Sequence, residues 1–287
     1  MRNNEKRLGL GGDGAPPEDA AAPAQQSSAL DFVVPTEFVE LPSQGKFYSE
    51  DHPLRDQEVV EIKFMTTKQE DILTSPALIK RGLAIDRLID SLFVDSRLKS
   101  QNLLSGDRNA ILIAARKSGY GSAYVTDVSC PSCGSLGEHV FDLEEVSTTA
   151  KCLDEAYLSE KNAQYDKEKG LLNLTLPKTK AVVGLKLMTG RDEAHLFSMS
   201  KKKVKSLVET SVTDHLIVVI KTVNGQADKF LIGRFVESLP ISDSRYLRDT
   251  YSELVPTVDL TQDYSCAVCG HIDEMEVPFN TEFFWPK

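Results

Sequence analysis

A chain of 287 residues, 41% hydrophobic and 26% charged, is sized for one large or two ordinary globular domains. Its formal charge of −10 repels phosphate backbones, so nucleic acid is an unfavoured partner. No apolar run reaches the about 18 residues needed to span a bilayer, and Met1–Arg7 leads into no apolar signal segment; a cytoplasmic setting with reduced thiols is the expectation.

Residues 1–30 are rich in Gly, Ala, Pro and Gln and hold no aromatic residue, which predicts a flexible tail. Gly9, Gly11 and Gly14 match G-x-G-x-x-G, but the match runs into Pro16-Pro17 and not into a helix, so it is no dinucleotide site. Structure is expected from about Phe32. Phe38–Leu41 and Glu58–Met65 read as strands around a turn at Pro42–Tyr48. Thr67 with Glu70 forms a candidate capping box, Ser75-Pro76 a second helix start, and Gly82 a stop. Leu83–Val94 and Ser105–Lys117 have helical spacing, the latter closed by Gly119, with a basic last turn at Arg116-Lys117. Cys152–Lys169 reads as a charged helical connector. Leu171–Leu176 and Ala181–Met188 form a hairpin turning at Pro177-Lys178, and His215–Val223 leans towards helix despite its β-branched residues. Lys201-Lys202-Lys203 with Lys205 is taken as a solvated helix face.

The pattern occurs twice. Val60–Thr66, with Glu70 and Leu73, aligns with Val183–Thr189, Glu193 and Leu196; Asp86-x-Leu88-Ile89 aligns with Asp214-x-Leu216-Ile217. Ser105-Gly-Asp107-Arg108 loosely matches Asp243-Ser-Arg245, and each half ends in C-x-x-C-G. Landmarks in one order argue for duplication. The expected fold is α+β: two related copies of a β-hairpin plus helices module, over 31–150 and 171–287, joined by a connector at 151–170.

Cys130, Cys133, Cys266 and Cys269 are candidate ligands of one structural zinc ion. A C-x-x-C turn turns two sulfurs to one point, and the glycine after it permits a left-handed backbone. The pairs lie much farther apart than in a contiguous zinc ribbon, so one site would tie distant segments together. Two redox pairs, disulfides or a site that has lost its metal are the competing readings. Cys152 falls outside both knuckles and reads as a free thiol, whereas His139 and His271 are minor alternative ligands. A full tetrathiolate shell leaves no open position to activate water.

No phosphate-binding loop, H-E-x-x-H or G-x-S-x-G is present, and His52, His139, His195, His215 and His271 show no ligand spacing. The expectation is a binding or structural protein, not an enzyme. Acidic neighbours such as Glu138, Glu144, Asp263 and Glu274 weaken the alternative of a zinc-ribbon nucleic-acid-binding or transcription accessory protein.

Several short motifs carry a family likeness: Leu41-Pro-Ser-x-Gly45-x-x-Tyr48, Phe64-Met-Thr66, Glu70–Leu73, Gly106–Asn109, Ala114-Ala-Arg116 and Gly119-Tyr-Gly121. The ending adds Cys266-x-x-Cys269-Gly, Val277-Pro-Phe279 and Phe283–Pro286. Together they resemble the baseplate-protein family of T-even-type contractile-tailed bacteriophages, over roughly residues 38–287. The resemblance implies a non-enzymatic role in forming or assembling the baseplate hub. Its partners would be other hub proteins, its setting the host cytoplasm during assembly or the virion tail. No catalytic residues carry over. Phe279, Phe283, Phe284 and Trp285 are either a docking patch or a cover for the core of the second copy.

Overall fold

Alternating side chains in Thr36–Glu40 (β1) and Val59–Lys63 (β2) give each strand one buried and one wet face, and the two pair antiparallel with Val39 opposite Val60. The computed structural model describes residues 33–203, 211–278 and 281–284, without the side chains of 201–203, 281 and 282. The expected tail, the Lys201–Lys205 side chains, Phe279 and Trp285 lie outside what it describes.

Three short helices follow: Thr67–Thr74 (α1), Pro76–Arg81 (α2) and Ala84–Leu92 (α3). The α1 cap lies one residue earlier than expected. Thr66 is the N-cap, its backbone N–H donating to Gln69 Oε1 at 3.0 Å, so Thr66/Gln69 forms the box in place of Thr67/Glu70. Helix α2 starts on Pro76 and stops at Gly82, whose φ of +72° is the left-handed turn a side chain resists.

Ser105–Tyr120 (α4) runs past Gly119 and closes at Gly121, whose N–H donates to Lys117 O. Gly119 is a packing residue and not the stop: a Cβ there would lie 2.2 Å from Met65 Cε. Ala123–Ser129 (β3) and Leu136–Asp142 (β4) form the next hairpin, followed by Ser147–Thr149 (β5).

The 151–170 stretch is not a continuous helix. Asp154 caps a helix of Glu155–Glu160 (α5), accepting from Ala156 N and Tyr157 N, and Asn162 at φ +50° ends it. Ala163–Asp166 (β6) is then a strand, because Leu171–Thr175 (β7) offers it a partner. With Val182–Leu185 (β8) and Ile220–Val223 (β9) they make a four-stranded antiparallel sheet in the order β6-β7-β8-β9. The expected hairpin turn at Pro177-Lys178 joins β7 to β8. Gly190–Lys203 (α6) and Ser211–Val219 (α7) come between β8 and β9. The expected helix at His215–Val223 therefore ends at Val219, where the chain joins the sheet.

Lys229–Ser238 (α8) and Ile241–Leu254 (α9) precede three strands, Thr257–Asp259 (β10), Thr261–Ser265 (β11) and Ile272–Glu276 (β12). The whole is α+β with small antiparallel sheets.

Two apolar cores form. The first gathers β1–β2, α1, α3, α4 and β3–β4 around Ile62, Leu73, Leu88, Leu92 and Ile111. It also takes Val258, Leu260, Tyr264, Val277, Phe283 and Phe284 from the far end of the chain. Phe283 and Phe284 are thus core residues of the first cluster, not of the second, and carry no exposed docking surface. The second core packs α7, α8 and α9 on the four-stranded sheet around Leu174, Val183, Leu185, Val219 and Leu254. Each such side chain taken wholly out of water contributes about 1.5–3 kcal/mol.

Backbone bonds stitch these regions together. Strand β10 pairs with β5, Gly190 N donates to Leu103 O, and Ser105 N donates to Met188 O. Arg108, in the first turn of α4, forms ion pairs with Asp86 on α3 and Glu193 on α6.

Candidate metal centre

Both cysteine pairs sit at hairpin tips built alike. In β3–β4 the last paired residues are Ser129 and Leu136; in β11–β12 they are Ser265 and Ile272. In the first tip Gly134 N donates to Cys130 O and Cys130 N to Ser135 O, each at 2.9 Å; in the second Gly270 N donates to Cys266 O and Cys266 N to His271 O, again at 2.9 Å. Gly134 and Gly270 take φ of +69° and +71°, with nothing within 4 Å of where a Cβ would stand. Their requirement is conformational, not spatial.

Packing of the two hairpins brings the tips together. The His139 ring meets Tyr264 edge-on at 5.2 Å, and Gln262 and the Asp142 backbone exchange two hydrogen bonds, at 3.0 and 2.7 Å. As a result all four sulfurs lie within 4.8 Å of one another, the one such grouping of His, Cys, Asp or Glu among the described residues. Cys130 and Cys266 are buried, Cys133 and Cys269 exposed. The cross-knuckle contacts are 3.7 Å for Cys130 Sγ to Cys269 Sγ and 3.8 Å for Cys133 Sγ to Cys266 Sγ. A disulfide needs about 2.05 Å, so none joins these pairs. Four thiolates at about 2.3 Å from one ion stand about 3.8 Å apart at the edges of a regular tetrahedron, which is the spacing across the tips.

Local donors favour thiolate. The amide N–H groups of Cys269 and Val268 and the Ser135 hydroxyl hold the Cys266 thiol down at about 5, and Ser135 likewise lowers Cys133. The His271 amide draws Cys269 down too, but the crowded sulfurs of Cys133, Cys266 and Cys130 push it up to about 12. Four thiols this close cannot all shed protons unless a cation balances them; the donor set fits a divalent metal.

The other residues singled out in the sequence do not join this group. His139 packs between Phe141 and Tyr264, and His271 faces Asp273 at 3.4 Å. Cys152 is buried in the second core, where burial pushes its thiol up to about 12. Arg116, read as part of a basic last turn, is buried and donates to the carbonyls of Gly121, Ala123 and Phe283, so it fastens the end of α4 to the C-terminal segment.

A sequence profile described as T4 bacteriophage base plate protein matches residues 34–285. The chain belongs to that family. It is thus a phage baseplate protein, and the matched span takes in both knuckles and both cores. No curated protein and no solved structure matches the chain. No helix among the described residues of this baseplate protein is long and apolar enough to cross a membrane.

The sequence loosely aligned Asp107 with Asp243 but did not show what they do, which is to anchor turns. Asp107, in the first turn of α4, accepts from Ser43 N (3.0 Å), Ser43 Oγ (2.6 Å) and Tyr48 OH (2.7 Å). Asp243, in the first turn of α9, accepts from Lys178 N (2.9 Å), Thr179 N (2.8 Å) and Thr179 Oγ1 (2.8 Å). Each aspartate fastens its helix to the turn after a Leu-Pro pair, Leu41-Pro42 or Leu176-Pro177. The signal lay in the sequence as Leu-Pro recurring at the two turns, with an aspartate opening the last long helix before each knuckle.

Proposed function

We propose that the protein is a non-enzymatic structural or assembly component of the phage baseplate hub, working through contacts with other hub proteins. In this reading it is a duplicated module whose two copies, 31–150 and 171–287, are clamped by one structural zinc ion on Cys130, Cys133, Cys266 and Cys269. The observation that carries the clamp is the meeting of four sulfurs from two distant segments within 4.8 Å, with both cross-knuckle contacts at the edge length of a zinc tetrathiolate tetrahedron. Duplication is supported by the paired knuckles and by the paired Asp107 and Asp243 anchors. Zinc suits the site because it takes four thiolates in a closed tetrahedron and brings no redox chemistry. Such a shell supplies folding energy and orders the tips; it presents no open position to a substrate.

Elemental analysis of the purified chain should find one zinc per molecule, lost in Cys133→Ser/Cys269→Ser; a metal-free chain with full stability would end the zinc reading. Mass spectrometry of purified virions against infected lysate decides between a resident and a transient hub role. The nucleic-acid alternative is disfavoured by the outer faces of the knuckle hairpins, where Asp127 stands opposite Glu138 and Asp263 opposite Glu274.

A further inference from the structure

The two knuckle hairpins are held together by more than their tips. The His139 ring lies edge-on to Tyr264, the Gln262 side chain exchanges hydrogen bonds with the Asp142 backbone, and Phe141, Tyr264 and Val277 share the first core. None of these contacts uses a cysteine, so they help to keep the tips apposed while the sulfurs change partners. The sulfurs themselves are not equivalent: Cys133 and Cys269 are exposed, Cys130 and Cys266 buried. Across the seam each exposed sulfur meets a buried one, Cys269 with Cys130 at 3.7 Å and Cys133 with Cys266 at 3.8 Å.

We infer that this cysteine cluster is an oxidation site that exchanges its metal for two disulfides across the seam, Cys130–Cys269 and Cys133–Cys266. The inference rests on the zinc-clamp reading proposed above and adds what the four sulfurs do outside a reducing cytoplasm. A baseplate is built among reduced thiols inside the host and works after release, at a virion surface where disulfides form and persist. The co-reactant is a peroxide. The exposed Cys269 Sγ attacks one peroxide oxygen, the O–O bond breaks, and hydroxide leaves and is protonated to water; the sulfur is left as a sulfenic acid. Cys130 Sγ, already in contact, attacks that sulfur. The S–O bond breaks, a second hydroxide is protonated to water, and the S–S bond forms. Cys133 and Cys266 repeat the two steps. Each disulfide thus takes two electrons from its sulfurs and reduces one peroxide to two waters. Zinc, which is neither oxidised nor reduced, is released as its ligands are consumed.

Little movement is needed, because each cross pair closes from 3.7 or 3.8 Å to the bonded distance of about 2.05 Å. Bonds inside a knuckle would instead close a short turn and leave the two segments unjoined. The cross pairs span 139 and 133 positions, and long loops are where a crosslink constrains the unfolded chain most. The clamp therefore outlasts its metal.

Titration of the zinc-loaded full chain with hydrogen peroxide tests this. Zinc released to a chromogenic chelator should rise to one ion per chain as two peroxides are consumed. Alkylation of the unfolded chain should fall from five thiols to one, that of Cys152, which is buried in the second core. Tryptic digestion of the oxidised chain should yield the Cys130/Cys133 peptide joined to the Cys266/Cys269 peptide, with fragmentation assigning Cys130 to Cys269 and Cys133 to Cys266. The oxidised, zinc-free chain should keep the hydrogen-exchange protection in β3 and β4 that the reduced, zinc-free chain loses. Disulfides confined within each knuckle, or joining Cys130 to Cys266, overturn the inference. So do sulfinic acids in place of disulfides, or thiols that survive excess peroxide. Failure of the zinc reading has its own signature: a chain purified without metal that still forms both crosslinks discards the zinc and keeps the oxidation site.

Discussion

Asp107 and Asp243 do the same job in the two halves and are held differently. Asp107 accepts from the hydroxyls of Ser43 and Tyr48 and from the Ser43 amide, and burial pushes its carboxyl above the ordinary range even though those bonds pull it down. Asp243 is also penalised by burial, but the amide N–H groups of Thr179 and Lys178 prevail and leave its carboxyl below the ordinary range. Asp243 has two amides and one hydroxyl where Asp107 has one amide and two hydroxyls, and the Lys178 charge lies beside it; a second fixed amide stabilises a carboxylate better than a rotatable hydroxyl. The second junction is thus a satisfied charge, and the first is a buried carboxyl kept by its geometry. A similar contrast separates the cores. The second closes on its own sheet, whereas the first draws in strands and aromatics from the far end of the chain.

The largest expected effect breaks the cores apart. If zinc holds the knuckles, Cys133→Ser/Cys269→Ser or a strong chelator removes a term on the order of 10 kcal/mol from the clamp. Hydrogen exchange should then rise in α4, β3 and β4 while β6–β9 stay protected; equal loss in both regions would contradict the separation. Next, Asp107→Ala orphans the buried Ser43 and Tyr48 hydroxyls and should cost about 2–4 kcal/mol in urea unfolding. Asp243→Ala, whose amides lie nearer water in an exposed turn, should cost less, about 1–2 kcal/mol; the reverse order would refute the account of the two anchors.

Their pH dependences should have opposite signs. The raised Asp107 binds its proton more tightly in the folded state, so between the ordinary aspartate value of 3.8 and its folded value stability falls as pH rises. The depressed Asp243 gives stability that is present above 3.8 and is lost as pH falls through its folded value. Unfolding free energies of Asp107→Asn and Asp243→Asn across mildly acidic pH, each referred to wild type, should therefore diverge in slope. The smallest effect tests where the halves agree. Gly134→Ala and Gly270→Ala each place a side chain in the left-handed region with open space around it, and should cost about 1 kcal/mol apiece, equally.

Much of this was legible in the sequence because it is local. The C-x-x-C-G turns, the Pro76 start, the Gly82 stop and the β7–β8 hairpin all follow from residues within a few positions of one another. What escaped depends on distant partners. Ala163–Asp166 becomes a strand because β7 is there to receive it, and Ile220–Val223 leaves its helix because β8 has an open edge. Periodicity could not assign Phe283 and Phe284 to the first core, since nothing around them states which surface they meet. The cysteines were the exception among long-range contacts: metal chemistry names its partners by type, where apolar packing does not.

The pairing of β5 with β10, and the place of Phe283 and Phe284 in the first core, set an order for synthesis. As the ribosome delivers the chain, the region of the first core made earlier must wait, its Tyr124 and Phe141 faces uncovered, until Val258 and then Phe283 and Phe284 leave the exit tunnel. The later-made sheet can close beforehand. The first core is thus the later of the two to mature, and a chain stopped before Val258 would carry a closed four-stranded sheet beside an unfinished first core.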